Sequence, residues 1–388
     1  MVAWCKIMLR TSNFGGKTDY LVRVISESCY GESANDIALL FRKMLQTYHT
    51  DDSEIGDLEA CDLSKRVFAA IPTARKANMV GTHAVYTLDV QNKTYRCTWR
   101  KLLAKGSYNH VYYADLTNVT DGNRTTPAVI KVTVQSDKDL RVYLMENVIH
   151  AILFQLPETS ALVVPIRFPF KIRKSGFPEF TLGTVMDDPG RGHLGDWIEE
   201  NLKNDEQMFA LLTQLSWILY QGQRAVSLEH RDLKADNVMI ASSDVSVANV
   251  AVPEVDAHFL FPTMGIRCML IDFGMARLEL QGEYIACDCM HNRTSFNRCH
   301  DLQNFCCTLV EDYKDELIAH APRFYQWMSS VCEPLFVKVR TTWPDYDAAS
   351  SSKRHERLNY VVNREKHHCF MPHHMLKTLG VHWSAWRR

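Results

Sequence analysis

The sequence lacks any strong charge imbalance. Its 388 residues hold 44 Lys and Arg against 45 Asp and Glu, so the formal net charge is −1. A strongly basic chain would indicate a nucleic acid or an anionic membrane as partner. Only the end is locally basic, in SSKRHER, REKHH and WRR, and we interpret these residues as solvated surface. We therefore expect neither a nucleic-acid nor a membrane partner.

Long apolar runs are also missing. No stretch approaches the ~20 apolar residues that span a bilayer, and MVAWCKIMLR lacks the charged start and apolar core of a secretory signal. The 12 Cys are scattered through a large chain, which favours reduced thiols over a disulfide framework. These features predict an intracellular protein of the cytoplasm or nucleus, and they do not indicate its oligomeric state.

Paired C-x-x-C spacing is absent as well, although two clusters contain soft metal ligands. The clusters are Cys287, Cys289, His291, Cys299 and His300, and His367, His368, Cys369, His373 and His374. Without the paired spacing, ordinary buried or surface Cys and His are the favoured interpretation over zinc.

The order of apolar patterns predicts an α+β protein. Residues 1–95 mix short strand-like runs with one helical run and carry no chemical motif. Residues 96–188 read as strands with one main helix, RVYLMENVIHAILFQL, and residues 189–388 are dominated by helices. The turn-rich stretch DDPGRG separates the last two parts.

Two candidate phosphate-binding features lie in the strand-rich part. Gly106, in the turn KGSYNHV, lets backbone N–H groups approach a phosphate closely, and Asn109 tolerates the same turn. Lys131 ends the apolar run AVIK, and Glu146 on the predicted helix follows 15 residues later. A Lys–Glu pair can hold an ammonium rigidly against phosphate, although a purely structural salt bridge would have the same pattern.

Two further features lie in the helical part. The loop HRDLKADN is charged, yet apolar runs flank it on both sides. Asp232 can accept a hydroxyl proton, Lys234 can neutralise a phosphoryl group, and Asn237 can reach a metal. In IDFG, Asp272 supplies carboxylate oxygens, which suit Mg²⁺, and Phe273 can pack inward to fix it.

Together these features resemble the protein-kinase signature set in the right order, over roughly residues 97 to 310. The chain is similar to divergent members of the eukaryotic-type superfamily, namely haspin-like and large-DNA-virus kinases. The resemblance implies a bilobal kinase fold with an N-terminal extension of unknown role (1–95). The N-lobe (96–188) would be a small antiparallel sheet with one main helix, and the C-lobe (189–388) would be larger and helical.

The resemblance also implies roles for residues. Lys131, fixed by Glu146, would hold the ATP phosphates, Asp232 would take the substrate proton, and Lys234 would contact the γ-phosphate. Asn237 and Asp272 would bind Mg²⁺. The remaining nucleotide contacts would come from the loop positions Ala104, Gly106, Asn109 and Val111, from Ala128 against the adenine, from Met186 as gatekeeper, and from the hinge, Asp187 and Asp188 followed by Pro189.

The chain departs from the kinase pattern in three places. The glycine-rich loop keeps only Gly106, the interval between Asp232 and Asp272 is long, and no Ala-Pro-Glu follows Gly274. The long interval predicts an inserted hairpin or loop near 241–266, and the activation segment, 272–300, is atypical. Asp301 then aligns with the aspartate that opens the central helix of a kinase C-lobe.

The leading hypothesis is an ATP- and Mg²⁺-dependent kinase that phosphorylates Ser and Thr of protein substrates. Lys234, two residues after Asp232, resembles the arrangement in Ser/Thr kinases. One alternative is a pseudokinase that serves as a nucleotide-binding or scaffold module, which the degraded loop favours. Another is a small-molecule phosphotransferase with a kinase-like fold.

Overall fold

A computed structural model of the chain describes residues 71–386, except for 81–82, 91, 106–108, 134–139, 157–158, 174–179, 281–282, 287–295, 363 and 366. The chain divides into two compact units. The first ends at Asp188 and also takes in residues 280–290, and the second begins at Pro189 and runs to the C-terminus.

Among its described residues up to Asp188, the first unit contains seven paired strands and one helix. The strands are β1 (Thr73–Val80), β2 (His83–Val90), β3 (Lys93–Lys105), β4 (Asn109–Asn118), β5 (Arg124–Thr133), β6 (Ile166–Arg173) and β7 (Phe180–Asp187), and the helix is α1 (Leu140–Gln155). Neighbouring strands pair in the order β1-β2-β3-β4-β5-β7-β6. The β6–β1 pair is parallel and closes the barrel, whereas the other pairs are antiparallel.

This closed barrel corrects the prediction of a small antiparallel sheet. Strands β1 and β2 precede residue 96, yet β2 pairs with β3 along its length, from Val85 opposite Thr98 to Val90 opposite Lys93. The closure has a physical reason, because apolar side chains from β2 share one buried core with those of the later strands. That core includes Leu88, Val90, Ile130, Phe170 and Val185.

The second unit combines helices with short strands. Its elements are β8 (Gly190–His193), α2 (Leu194–Asn201), α3 (Asp205–Val226), β9 (Val238–Ser242), β10 (Val247–Val252), β11 (Ala257–Pro262), β12 (Ile266–Leu270), α4 (His300–Asp312), α5 (Lys314–His320), α6 (Pro322–Thr342), α7 (Ser351–Val362) and α8 (Pro372–Trp386). Two short strands follow β12 along the chain, namely β13 (Arg277–Leu280) and then β14 (Glu283–Ala286), which belongs to the first unit. Within the part of the chain that the structure describes, no helix combines the length and apolarity needed to cross a membrane.

Helix α3 is buried over most of its length and forms the centre of the second unit. Its N-terminus is capped by the Asn204 side chain, which accepts a hydrogen bond from the backbone N–H of Gln207. Its other end stops at Ser227, whose left-handed conformation terminates the helical hydrogen bonding. This rigid helix ends shortly before the charged loop and thereby fixes where that loop begins.

The chain between β9 and β12 forms an antiparallel hairpin from β10 and β11. Val250 and Phe259 oppose each other on its inner face, and both are buried. A side chain at Gly380 of α8 would collide with the Phe259 ring, so glycine permits close contact between helix and hairpin. On the same helix, the Trp383 indole donates a buried hydrogen bond of 2.9 Å to Thr213 of α3. The hairpin is therefore an integral part of the core of the second unit.

Candidate active site

The first candidate element is an ion pair in the first unit. Lys131 lies in β5 and Glu146 in α1, and their Nζ and Oε1 atoms are 2.7 Å apart. The two side chains are only 14% and 17% exposed. The pairing that the sequence predicted is therefore present. Partial burial strengthens the attraction, and the hydrogen bond orients the ammonium toward Glu146.

Most of the other residues predicted to contact a nucleotide lie on β3, β4, β5 and β7, which are consecutive strands of the barrel. Val111 pairs with Lys131 across β4 and β5, and Ala128 pairs with Asp187 across β5 and β7. Ala128 and Met186 are buried.

The predicted glycine-rich loop lies between β3 and β4. Asn109 begins β4, Ala104 lies opposite Val111 on β3, and Gly106 lies outside the described residues. The barrel thus brings most of the predicted set onto adjacent strands.

The predicted hinge begins where β7 ends. Asp187 donates its backbone N–H to the carbonyl of Pro165 at 2.9 Å, and its carboxylate forms an ion pair with Arg167. Asp188 is the last residue of the first unit before the boundary. Pro189 has no N–H, so it can offer a purine edge only its carbonyl oxygen.

The charged loop HRDLKADN holds the second candidate element, centred on Asp232. The Asn237 Nδ2 donates to the Asp232 carbonyl at 2.7 Å and to its carboxylate Oδ2 at 3.0 Å. The Lys234 ammonium is 3.4 Å from the same Oδ2. Both charged side chains remain partly exposed, at 39% for Asp232 and 43% for Lys234. The loop therefore presents an oriented carboxylate beside a positive charge, within reach of solvent or an acceptor.

Asp301, at the start of α4, anchors this loop through hydrogen bonds to its backbone. Its two carboxylate oxygens accept the backbone N–H groups of His230 and Arg231, each at 2.8 Å. Arg231 has a φ of 67°, in the left-handed region that non-glycine residues rarely adopt. Asn304, one turn further along α4, donates to the carbonyl of Leu233 at 3.0 Å. The unusual backbone just before Asp232 is thus fixed by hydrogen bonds from α4.

Asn237 and Asp272 lie at matching ends of two paired strands. Val238, which begins β9, opposes Leu270, which ends β12, and the Ile271 N–H donates to the Asn237 carbonyl at 3.1 Å. Because the Asn237 Nδ2 already donates to Asp232, its Oδ1 is the atom left for a cation. Amide and carboxylate oxygens are ligands that Mg²⁺ accepts, with phosphate oxygens and water completing the coordination. The donor set therefore fits magnesium bound together with a phosphate ester.

Sequence reasoning missed Glu229, the residue before the loop. Glu229 and Arg277 exchange two backbone hydrogen bonds of 2.9 Å, and their buried side chains form an ion pair. The backbone N–H of Asn297 also donates to the Glu229 carboxylate. Burial raises the pKa of Glu229, and these contacts only partly oppose that rise. Glu229 thus fixes the backbone at Arg277 and Asn297. No motif in the sequence indicates this role of Glu229.

The segment IDFG packs as predicted. Phe273 is fully buried, with its ring centroid 5.2 Å from that of His230. The His230 Nε2 is 2.8 Å from the Ile271 carbonyl oxygen. Asp272 itself has a φ of 62°. These contacts on both sides hold Asp272 beside the charged loop.

Of the first Cys and His cluster, the structure describes only Cys299 and His300. Cys287, Cys289 and His291 lie outside the described residues. Among the residues that are described, no three His, Cys, Asp or Glu side chains converge as a metal site would require. Cys299 is buried at the start of α4.

In a comparison with protein families, residues 180–341 match the family described as haspin-like kinase domain. The match covers somewhat under half of the chain and contains Asp232, Asn237, Asp272 and Asp301. Lys131 and Glu146 precede it. No curated protein matches the chain.

Proposed function

Because the chain is a divergent, haspin-like member of the eukaryotic-type protein kinase superfamily, we propose that it transfers phosphoryl groups from ATP, with Mg²⁺, to Ser and Thr hydroxyls of proteins. The observation that carries the proposal is the arrangement around Asp232. Its carboxylate is oriented by Asn237 and accompanied by Lys234. Asp301 holds the backbone that presents it.

Each group has a role in the proposed reaction. When bound, magnesium ATP supplies the phosphoryl group and neutralises part of its charge. Asp232 orients the acceptor hydroxyl and takes its proton. Lys234, beside it, stabilises negative charge as the phosphoryl group moves. Asn237 and Asp272 would provide the oxygen ligands for the metal.

Lys131 contributes from the first unit. Its ammonium, oriented by Glu146, holds the nucleotide phosphates in a fixed position. Phosphoryl transfer requires little covalent chemistry from the protein, so positioning and charge stabilisation account for most of the rate. All the charged groups needed for that are present in the chain. This favours an active enzyme over a pseudokinase.

The acceptor class is tested with the purified full chain, radiolabelled ATP and Mg²⁺. Myelin basic protein or histone is offered in one reaction, and small hydroxyl acceptors such as choline and kanamycin are offered in others. We expect label on the protein, recovered as phosphoserine and phosphothreonine, and loss of transfer when EDTA removes the metal. Label only on a small acceptor would instead indicate the small-molecule phosphotransferase. The absence of both transfer and any nucleotide-induced thermal shift would indicate a scaffold module.

A further inference from the structure

A buried network of polar side chains joins α1 to β7 in the first unit. The Tyr143 hydroxyl donates to the Gly183 carbonyl at 2.5 Å. The Thr184 hydroxyl donates to the Asn147 Oδ1 at 2.8 Å, and the Asn147 Nδ2 donates to the Tyr143 carbonyl at 2.7 Å. Tyr143, Asn147 and Thr184 are 5%, 4% and 6% exposed. We call these three side chains the α1–β7 network.

Such a network restricts the position of a helix more than an apolar contact does. Apolar surfaces tolerate small shifts, whereas buried donors and acceptors lose their partners when a helix slides or turns. Burial raises the pKa of Tyr143, so its hydroxyl remains protonated and keeps its role as donor. The network therefore favours one particular placement of α1 on β7.

The same placement of α1 also allows Glu146 to form its ion pair with Lys131. Lys131 lies directly opposite Thr184 in the β5–β7 ladder, so their side chains lie on the same face of the sheet. Glu146 immediately precedes Asn147 and is one helical turn from Tyr143. Adjacent residues of the helix thus contact adjacent positions of the sheet, and a shift that broke one contact would strain the other.

We infer that Thr184 and Asn147 are positioning residues, which hold α1 where Glu146 orients Lys131 toward the nucleotide phosphates. This inference rests on the proposed function, because it assigns Lys131 to ATP. Neither residue touches the nucleotide in this account, and both act through the ion pair. The effect of losing them should therefore appear in the handling of ATP and leave the handling of the protein acceptor unchanged.

Thr184→Val tests the inference, because valine keeps the shape of threonine and removes the hydroxyl. We expect kcat/KM for ATP to fall by about 10-fold to 100-fold, as small misplacements of reacting groups do. The KM for the protein acceptor should stay unchanged. Thr184→Ser, which restores the hydroxyl, should recover kcat/KM for ATP to within about twofold of wild type.

A second variant separates positioning from stability. Thr184→Val leaves the Asn147 Oδ1 without its donor, which by itself lowers the melting temperature. The double variant Thr184→Val/Asn147→Leu removes both polar partners, so we expect its melting temperature to recover while the ATP defect persists. Recovery of ATP handling along with the melting temperature would overturn the inference. A rise in the KM for the protein acceptor as large as the loss in kcat/KM for ATP would overturn it as well.

Direct titration of ATP binding keeps this test distinct from that of the proposed function. A wild-type chain that binds ATP but transfers nothing would refute the proposed kinase activity. The ratio of ATP dissociation constants between wild type and Thr184→Val would then decide the inference, with about 10-fold weakening expected. Equal affinities would overturn it, and a wild type with no affinity for ATP would overturn both.

Discussion

Lys131→Met is expected to lower kcat by about 10²-fold to 10³-fold, the typical cost of removing one group that stabilises charge in a transition state. Methionine keeps the length and apolar stem of lysine but has no ammonium to hold the phosphates. The overall fold should persist, because Lys131 and Glu146 both keep some contact with solvent, at 14% and 17% exposure. We therefore expect a small change in melting temperature beside the large loss of rate.

The matched control is Lys93→Met in the same barrel. Lys93 also forms an ion pair with a carboxylate, that of Asp121 at 2.8 Å, but both side chains are about half exposed. Exposed pairs contribute little to stability, so this variant should retain wild-type rates and stability. If Lys131→Met retained more than half of the wild-type rate, or if both variants lost activity equally, the role given to Lys131 would be wrong.

Asp301→Asn should destabilise the second unit and inactivate the enzyme together. Asp301 is fully buried and its two oxygens accept two backbone N–H groups. Asparagine offers one oxygen, so its amide NH₂ would face a buried N–H that has lost its acceptor. The expected cost is about 3 kcal/mol in the free energy of unfolding, measured by urea titration. Arg231 would then be free to leave its left-handed conformation, and Asp232 would lose its orientation.

The pH dependence of stability gives this prediction a second readout. Burial by itself would raise the pKa of Asp301, but the hydrogen bond and charge of His300, with further help from His230, lower it below its ordinary 3.8. A carboxyl whose pKa is lower in the folded state stabilises the fold above its unfolded pKa, and it loses that effect as pH falls toward the folded value. The difference in the free energy of unfolding between wild type and Asp301→Asn should therefore be largest near neutral pH and shrink below about pH 4. A pH-independent difference, or none, would contradict this assignment.

The sequence predicted the candidate elements of the site because each carries a local signal. HRDLKADN stands out as a charged loop between apolar runs, and the spacing of Lys131 and Glu146 predicts a pair that the structure contains at 2.7 Å. Asp301 could be proposed from its place in the chain order alone. Its hydrogen bonds to residues about seventy positions earlier could not, because only the fold brings α4 under the loop.

Closure of the barrel was not predictable in the same way. The alternation in HAVYTLDV predicts a strand and its buried face, but it does not name the partner strand. Closure depends on Thr73 pairing with Lys171, a contact between distant parts of the chain with no local pattern. Thr184 and Asn147 were missed for a related reason, since each lies in an apolar stretch and acquires a role only through its partner in space.

The most direct test of the central claim compares wild type with Asp232→Asn in label transfer from ATP to a protein acceptor. Asp244→Asn, an exposed aspartate after β9, serves as the control with the same chemical change. We predict transfer by wild type and by Asp244→Asn, and a loss of at least about 100-fold in Asp232→Asn. Its ATP-induced thermal shift should remain. Transfer by Asp232→Asn at the wild-type rate would contradict the account.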